Sequence, residues 1–213
     1  MEEGPLSQVQ WPLFIAASLV LIITPGQDML LVMSRSIAQG ARAGVVTAAG
    51  VSTGLVGHTF LSAVGLGALL RASEPLFLAV KFAGAAYLVY LGVTMLRAGH
   101  TDFPLGRRPE RSLRRLFLDG AVSNITNPKI TIFYFAFLPQ FIQPGATRPG
   151  LIVMVLGLTF AALTFMVKGP VGLSAGLLSE WLRARPAVQR WIQRCGGIVL
   201  IGLGVKLALE RRG

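Results

Sequence analysis

Thr24-Pro25-Gly26-Gln27-Asp28 interrupts an apolar run that reads from Trp11 to Ile23 on one side and from Met29 to Met33 on the other. Pro lacks the N–H that would continue a helix, and Gly loosens the backbone, so the pair predicts a break in helical hydrogen bonding. Asp28 follows at once, a carboxylate inside what reads as a membrane span. A charge at that depth costs at least ~2.5 kcal/mol, so such residues face a partner or an aqueous cavity. Asn127-Pro128-Lys129 repeats the design later in the chain with a cation in place of the anion. Two broken helices, one acidic and one basic, form a transporter's pattern.

Composition supports a membrane reading. The 213 residues are 53% hydrophobic and 14% charged, whereas soluble domains carry about 25% charged residues. The 25 glycines suit closely packed membrane helices. A net charge of +11 could indicate nucleic acid. The basic residues instead sit between apolar runs, where the positive-inside rule puts them, and no zinc finger, helix-turn-helix or aromatic–basic platform accompanies them. Cys195 is the single cysteine, which excludes an intrachain disulfide and a multi-thiolate metal site. With only His58 and His100, and no HExxH or CxxC, neither a metal centre nor a cofactor is expected. Catalysis is not expected either, since no GxSxG occurs and no histidine lies near Cys195 in sequence. The acidic start, Met1-Glu2-Glu3-Gly4-Pro5, lacks the basic region of a signal peptide, so the first apolar run is expected to be a retained span.

Six apolar stretches can reach the ~20 residues that a bilayer demands. They lie near 11–38, 43–70, 75–97, 115–141, 149–178 and 188–209. The stretches after spans 1, 3 and 5 hold twelve Lys and Arg residues, and the opposite side holds six: Arg71, Lys81, Arg148, Lys206, Arg211 and Arg212. That bias predicts a cytoplasmic basic loop at 99–114 and periplasmic N- and C-termini. Pro25 and Pro128 each fall about thirteen residues into their spans. Gly84, Leu88, Leu91 and Gly92 of span 3 match Gly196, Leu200, Leu203 and Gly204 of span 6. The expected fold is therefore all-α and integral to the membrane, a single transmembrane domain of two inverted three-helix repeats, 1–98 and 115–213. Gly40-xxx-Gly44, Gly50-xxx-Gly54 and Gly172-xxx-Gly176 fit close helix packing within a chain or a dimer face between two.

These residues resemble the LysE/RhtB family of amino-acid exporters along nearly the whole chain. The resemblance is carried by Thr24-Pro25-Gly26-Gln27-Asp28-Met29-Leu30, by Gly40, Gly44, Gly50 and Gly54, and by Gly84-Ala85-Ala86-Tyr87-Leu88 with Tyr90-Leu91-Gly92. Asn124, Asn127-Pro128-Lys129 and Ala136-Phe137-Leu138-Pro139-Gln140-Phe141 complete it. It implies export of small amino acids or their derivatives across the bacterial cytoplasmic membrane by ion, chiefly proton, antiport, and it implies a homodimer. Position 27 is Gln where the family often has a second Pro, and Lys168 falls outside its common pattern.

An amino-acid zwitterion needs one cationic or N–H-rich wall and one anionic or carbonyl-rich wall. Half-helices supply both, through the orphan N–H groups near Asp28 and the orphan carbonyls before Pro25. Asp28 can hold the substrate ammonium or a coupling proton. Lys129 can meet the carboxylate, or pair with Asp28 in an empty site; a purely structural Asp28–Lys129 pair is the plainer alternative. Thr24, Gln27, Asn124 and Asn127 can add hydrogen bonds, the two asparagines serving either substrate or helix capping. Asp119 reads as a solvated or Arg-paired helix-end residue. Lys168 is either a paired structural residue or a third charge in the pathway. His58 can relay protons or satisfy a neighbouring helix, and Tyr87 can line the cavity or pack. A metal-cation or other ion exporter on the same fold is the competing function, and the scarcity of Cys, His and intramembrane carboxylates opposes it.

Overall fold

The computed structural model describes residues 5–72, 74–97, 110–142, 146 and 148–209. His100, Arg107, Arg108, Arg211 and Arg212 lie outside the described residues. Among the described residues the chain forms eight α-helices: α1 (Trp11–Ile23), α2 (Gln27–Gln39), α3 (Ala41–Ala72), α4 (Glu74–Arg97), α5 (Leu113–Ile125), α6 (Pro128–Phe137), α7 (Pro149–Arg183) and α8 (Pro186–Leu209). Two 3-10 turns, Pro5–Gln8 and Leu138–Phe141, flank α1 and α6.

The breaks fall where Pro and Gly put them. Thr24 closes α1, its Oγ1 and its N–H both donating to the Val20 carbonyl at 2.8 and 3.3 Å. Gly26 precedes α2 in an extended conformation and offers no side-chain cap, and α1 and α2 meet at a bend of 51°. In the second half Asn127 caps α6, its Oδ1 accepting from the Lys129 N–H at 3.0 Å. Pro128 takes the first turn of α6, where a missing N–H removes no helical bond. The stretches 11–38 and 115–141 are thus each built of two short helices.

The other four stretches match α3, α4, α7 and α8 with ends moved by a few residues. Three segments are long and apolar enough to cross a bilayer, namely Ala41–Gly65, Pro149–Ala175 and Ala187–Leu209, and the bent α1–α2 pair makes a fourth when counted as one span. The expected spans 75–97 and 115–141 do not meet that measure among the described residues. In the second case α5 has 13 residues and α6 has 10, each short of the ~20 needed.

Packing is most extensive where α3 meets α7, α4 meets α8 and α3 meets α5. Further contacts join α7 to α2, α4 to α6 and α8 to α1. Glycine permits the closest of these approaches. A Cβ on Gly172 would sit 2.7 Å from the Gly44 carbonyl carbon, and one on Gly54 would sit 2.7 Å from the Asn124 Cβ. The Gly44, Gly50, Gly54 and Gly172 positions are therefore used inside the chain. Gly40 serves differently, turning α2 into α3 at φ 89°, a region that other residues rarely adopt.

An aromatic cluster closes one end of the bundle. Phe14, Phe137 and Phe141 are fully buried, with Phe14–Phe141 centroids 5.2 Å apart and Phe137–Phe141 centroids 4.8 Å apart. The Gln10 N–H donates to the Phe141 carbonyl at 2.9 Å. Lys206 ties the same end together, its Nζ donating to Gln10 Oε1 at 3.1 Å and to the Gln140 carbonyl at 2.9 Å.

Candidate functional site

The two breaks face one cavity of about 340 Å³. Thr24, Pro25, Gly26, Gln27 and Asp28 line it from the first break, and Asn127 and Lys129 from the second. Phe160, Thr164 and Lys168 line it from α7. Their spacing of four residues puts all three on one helix face. The remaining wall is mainly apolar, with Leu21, Ile22, Leu55, Leu91, Met95, Phe133 and Leu200 among its members.

Asp28 stands in the first turn of α2, where the positive end of the helix dipole favours a carboxylate. Its Oδ2 accepts from Asn124 Nδ2 at 3.0 Å and from Lys168 Nζ at 3.3 Å. Both partners of the ion pair are withdrawn from solvent, with side-chain exposures of 11% for Asp28 and 9% for Lys168. The cation that meets Asp28 is thus Lys168 and not Lys129. Lys129 lines the cavity and forms no ion pair among the described residues. Its position at the start of α6 directs its backbone inward instead: the N–H goes to Asn127 Oδ1, and the carbonyl accepts from the Tyr87 hydroxyl at 3.2 Å.

Asn124 is fully buried and joins three elements. Its Nδ2 reaches Asp28, and its carbonyl accepts from His58 Nε2 at 2.9 Å and from the Asn127 N–H at 3.0 Å. A carbonyl can only accept, so His58 Nε2 carries the proton and Nδ1 is left to meet the Thr131 hydroxyl at 3.2 Å. His58 on α3 therefore links the end of α5 to the start of α6. Asn127 caps its helix and also reaches the opposite break, its Nδ2 donating to Gln27 Oε1 at 3.4 Å. Tyr87 does not line the cavity, and Pro128 shapes α6 without facing it.

Asp119 is held by three arginines, with Arg35 at 3.4 Å, Arg115 at 3.2 Å and Arg111 in contact as well. That is the Arg-paired role expected of it. Among the described residues no three His, Cys, Asp or Glu side chains lie close enough to hold a metal ion. Sequence reading did not single out Thr164 or Phe160 as lining residues. The four-residue spacing that ends on Lys168 was the available signal.

A strongly apolar chain, helical among the described residues, whose two helix breaks face a cavity lined by one acidic and two basic side chains has the pattern of a membrane transport protein. The LysE type translocator family matches residues 19–211, and the chain belongs to that family. It is 33% identical over 202 residues to the homoserine/homoserine lactone efflux protein of Salmonella typhimurium, covering 94% of this chain and 97% of the relative. It is 29% identical over 201 residues to the leucine efflux protein of Klebsiella pneumoniae, covering 92% of each. An uncharacterized membrane protein of Bacillus subtilis, YrhP, is 31% identical over 208 residues, covering 92% of this chain and 97% of the relative. No solved structure matches the chain.

Proposed function

We propose that the chain is a secondary active exporter of small amino acids or their derivatives across the bacterial cytoplasmic membrane, working by proton antiport. The observation that carries this reading is the Asp28 carboxylate at the first helix break, joined to Lys168 and Asn124 on the wall of a cavity that the second break also enters. Asp28 receives the substrate ammonium or the coupling proton. Lys129 and the backbone N–H groups at the start of α2 receive the carboxylate. Thr24, Gln27 and Asn127 offer neutral hydrogen bonds around them.

Six spans in two inverted repeats, 1–98 and 115–213, are the architecture we assign. The pairing of α3 with α7 and of α4 with α8 supports it, because an inverted repeat brings corresponding helices together. Periplasmic termini follow from the twelve-to-six bias of Lys and Arg. The meeting of Arg35, Arg111 and Arg115 at Asp119 supports a common side for the stretches after spans 1 and 3. A homodimer would have to form on faces other than the Gly44, Gly50, Gly54 and Gly172 positions.

Inside-out membrane vesicles test the exporter and its coupling together. With an acidic lumen, vesicles containing the protein accumulate a labelled neutral amino acid, and a protonophore abolishes the accumulation. Accumulation that ignores the protonophore would reject proton antiport, and none at all would reject amino-acid export.

A further inference from the structure

The charge of Asp28 is already balanced in the empty cavity. Lys168 Nζ and Asn124 Nδ2 both donate to its Oδ2, whereas its Oδ1 has no hydrogen-bond partner among the described residues. A substrate ammonium can therefore join at Oδ1, but it arrives at a carboxylate that a lysine has neutralised. Lys129, on the same cavity without an ion pair, adds a second ammonium. The lining thus carries one carboxylate against two ammonium groups, set in a largely apolar wall where charges interact more strongly than in water.

From this balance we infer that Lys168 is a specificity-determining residue that makes the cavity reject cationic cargo. The inference rests on the amino-acid exporter reading and deepens it. A zwitterion adds no net charge to the lining. A cationic side chain raises the net charge of the occupied cavity from +1 to +2, and an anionic one brings it to zero. The cargo class that fits is therefore amino acids with uncharged side chains, with acidic ones tolerated better than basic ones. Phe160 and Thr164, on the same face of α7 as Lys168, give such a side chain an apolar and a hydroxyl contact.

The test uses full-length protein in proteoliposomes and measures competition against a labelled neutral amino acid by two matched pairs. Norleucine and lysine share a chain length and differ by the terminal ammonium; glutamine and glutamate are nearly isosteric and differ by charge. Wild type prefers norleucine to lysine. Lys168→Gln lowers that preference by about tenfold, the effect of removing one like charge about 12 Å away at an effective dielectric near 20. It also weakens glutamate relative to glutamine, whereas Lys168→Arg keeps both ratios near wild type. A merely structural role would move all four competitors together. Ratios unchanged in Lys168→Gln, or changed equally in Lys168→Arg, would overturn the inference while leaving export intact. Should Lys168→Gln not fold, equal competition by lysine and norleucine in wild type would overturn it too. Wild-type protein that is folded and transports no amino acid would instead reject the exporter reading, and this inference with it.

Discussion

Lys168 Nζ lies 3.3 Å from Asp28 Oδ2 and joins α7 to the first turn of α2 across 140 positions of the chain. Each charge makes the other tolerable in an apolar interior, so removing one strands its partner. Asp28→Asn should lower stability by about 3 kcal/mol, the scale for breaking a buried pair from one side. The double variant Asp28→Asn with Lys168→Gln should recover much of that loss, because no lone charge remains. It should not recover transport. Thermal unfolding in detergent beside a transport assay would separate the two effects.

The three-arginine cluster at Asp119 makes a second electrostatic prediction. Arg35 is buried, and its guanidinium lies 3.4 Å from the Asp119 carboxylate. Asp119→Asn should destabilise the α2–α5 contact by about 1–3 kcal/mol, the range for buried polar groups left without charge-assisted bonds. Asp119→Glu should lose less. Hydrogen exchange of α2 and α5 amides would show the local loosening.

Helix approach through glycine predicts a graded series. Gly172→Ala puts a methyl within 2.7–2.8 Å of α3 backbone atoms at Gly44 and Val45. Overpacking of that kind costs about 1–3 kcal/mol. Gly54→Ala meets Asn124 at 2.7 Å and should disturb transport as well as stability, because Asn124 holds Asp28. Gly202→Ala has nothing within 4 Å and should be neutral or slightly stabilising. Melting temperatures of the three variants, ranked in that order, check the account.

Asn127 combines a cap with a bridge between the breaks. Asn127→Ala should cost about 1 kcal/mol through the lost cap of α6. Asn127→Asp keeps the accepting oxygen for the Lys129 N–H but loses the donor to Gln27. It should therefore keep stability better than it keeps transport. Unfolding curves and initial transport rates of the two variants would reveal that split.

Local chemistry was readable from the sequence where the physics is local. Pro25-Gly26 and Pro128 break helices through their own backbones, so both breaks and the short helices beside them follow from residue type. The Asp119 pairing was equally accessible, since Arg115 lies one turn away on the same helix. The partner of Asp28 was not, because the matching break pointed to Lys129 while the pairing depends on how α7 lies against α2. Lys129 begins a helix whose first turn is anchored by Asn127 and Tyr87, while Lys168 comes to Asp28 from a helix 140 positions away. The same tertiary dependence left the two uses of His58 undivided, because its bonds to Asn124 and Thr131 exist only once α3 packs on α5 and α6.

The most direct test of the central claim is counterflow in proteoliposomes, comparing wild type with Asp28→Asn. Wild type should exchange a labelled neutral amino acid saturably. Asp28→Asn, recovered as folded protein, should exchange it at no more than background. Equal counterflow by the two proteins would contradict the assignment of Asp28 to the transport site.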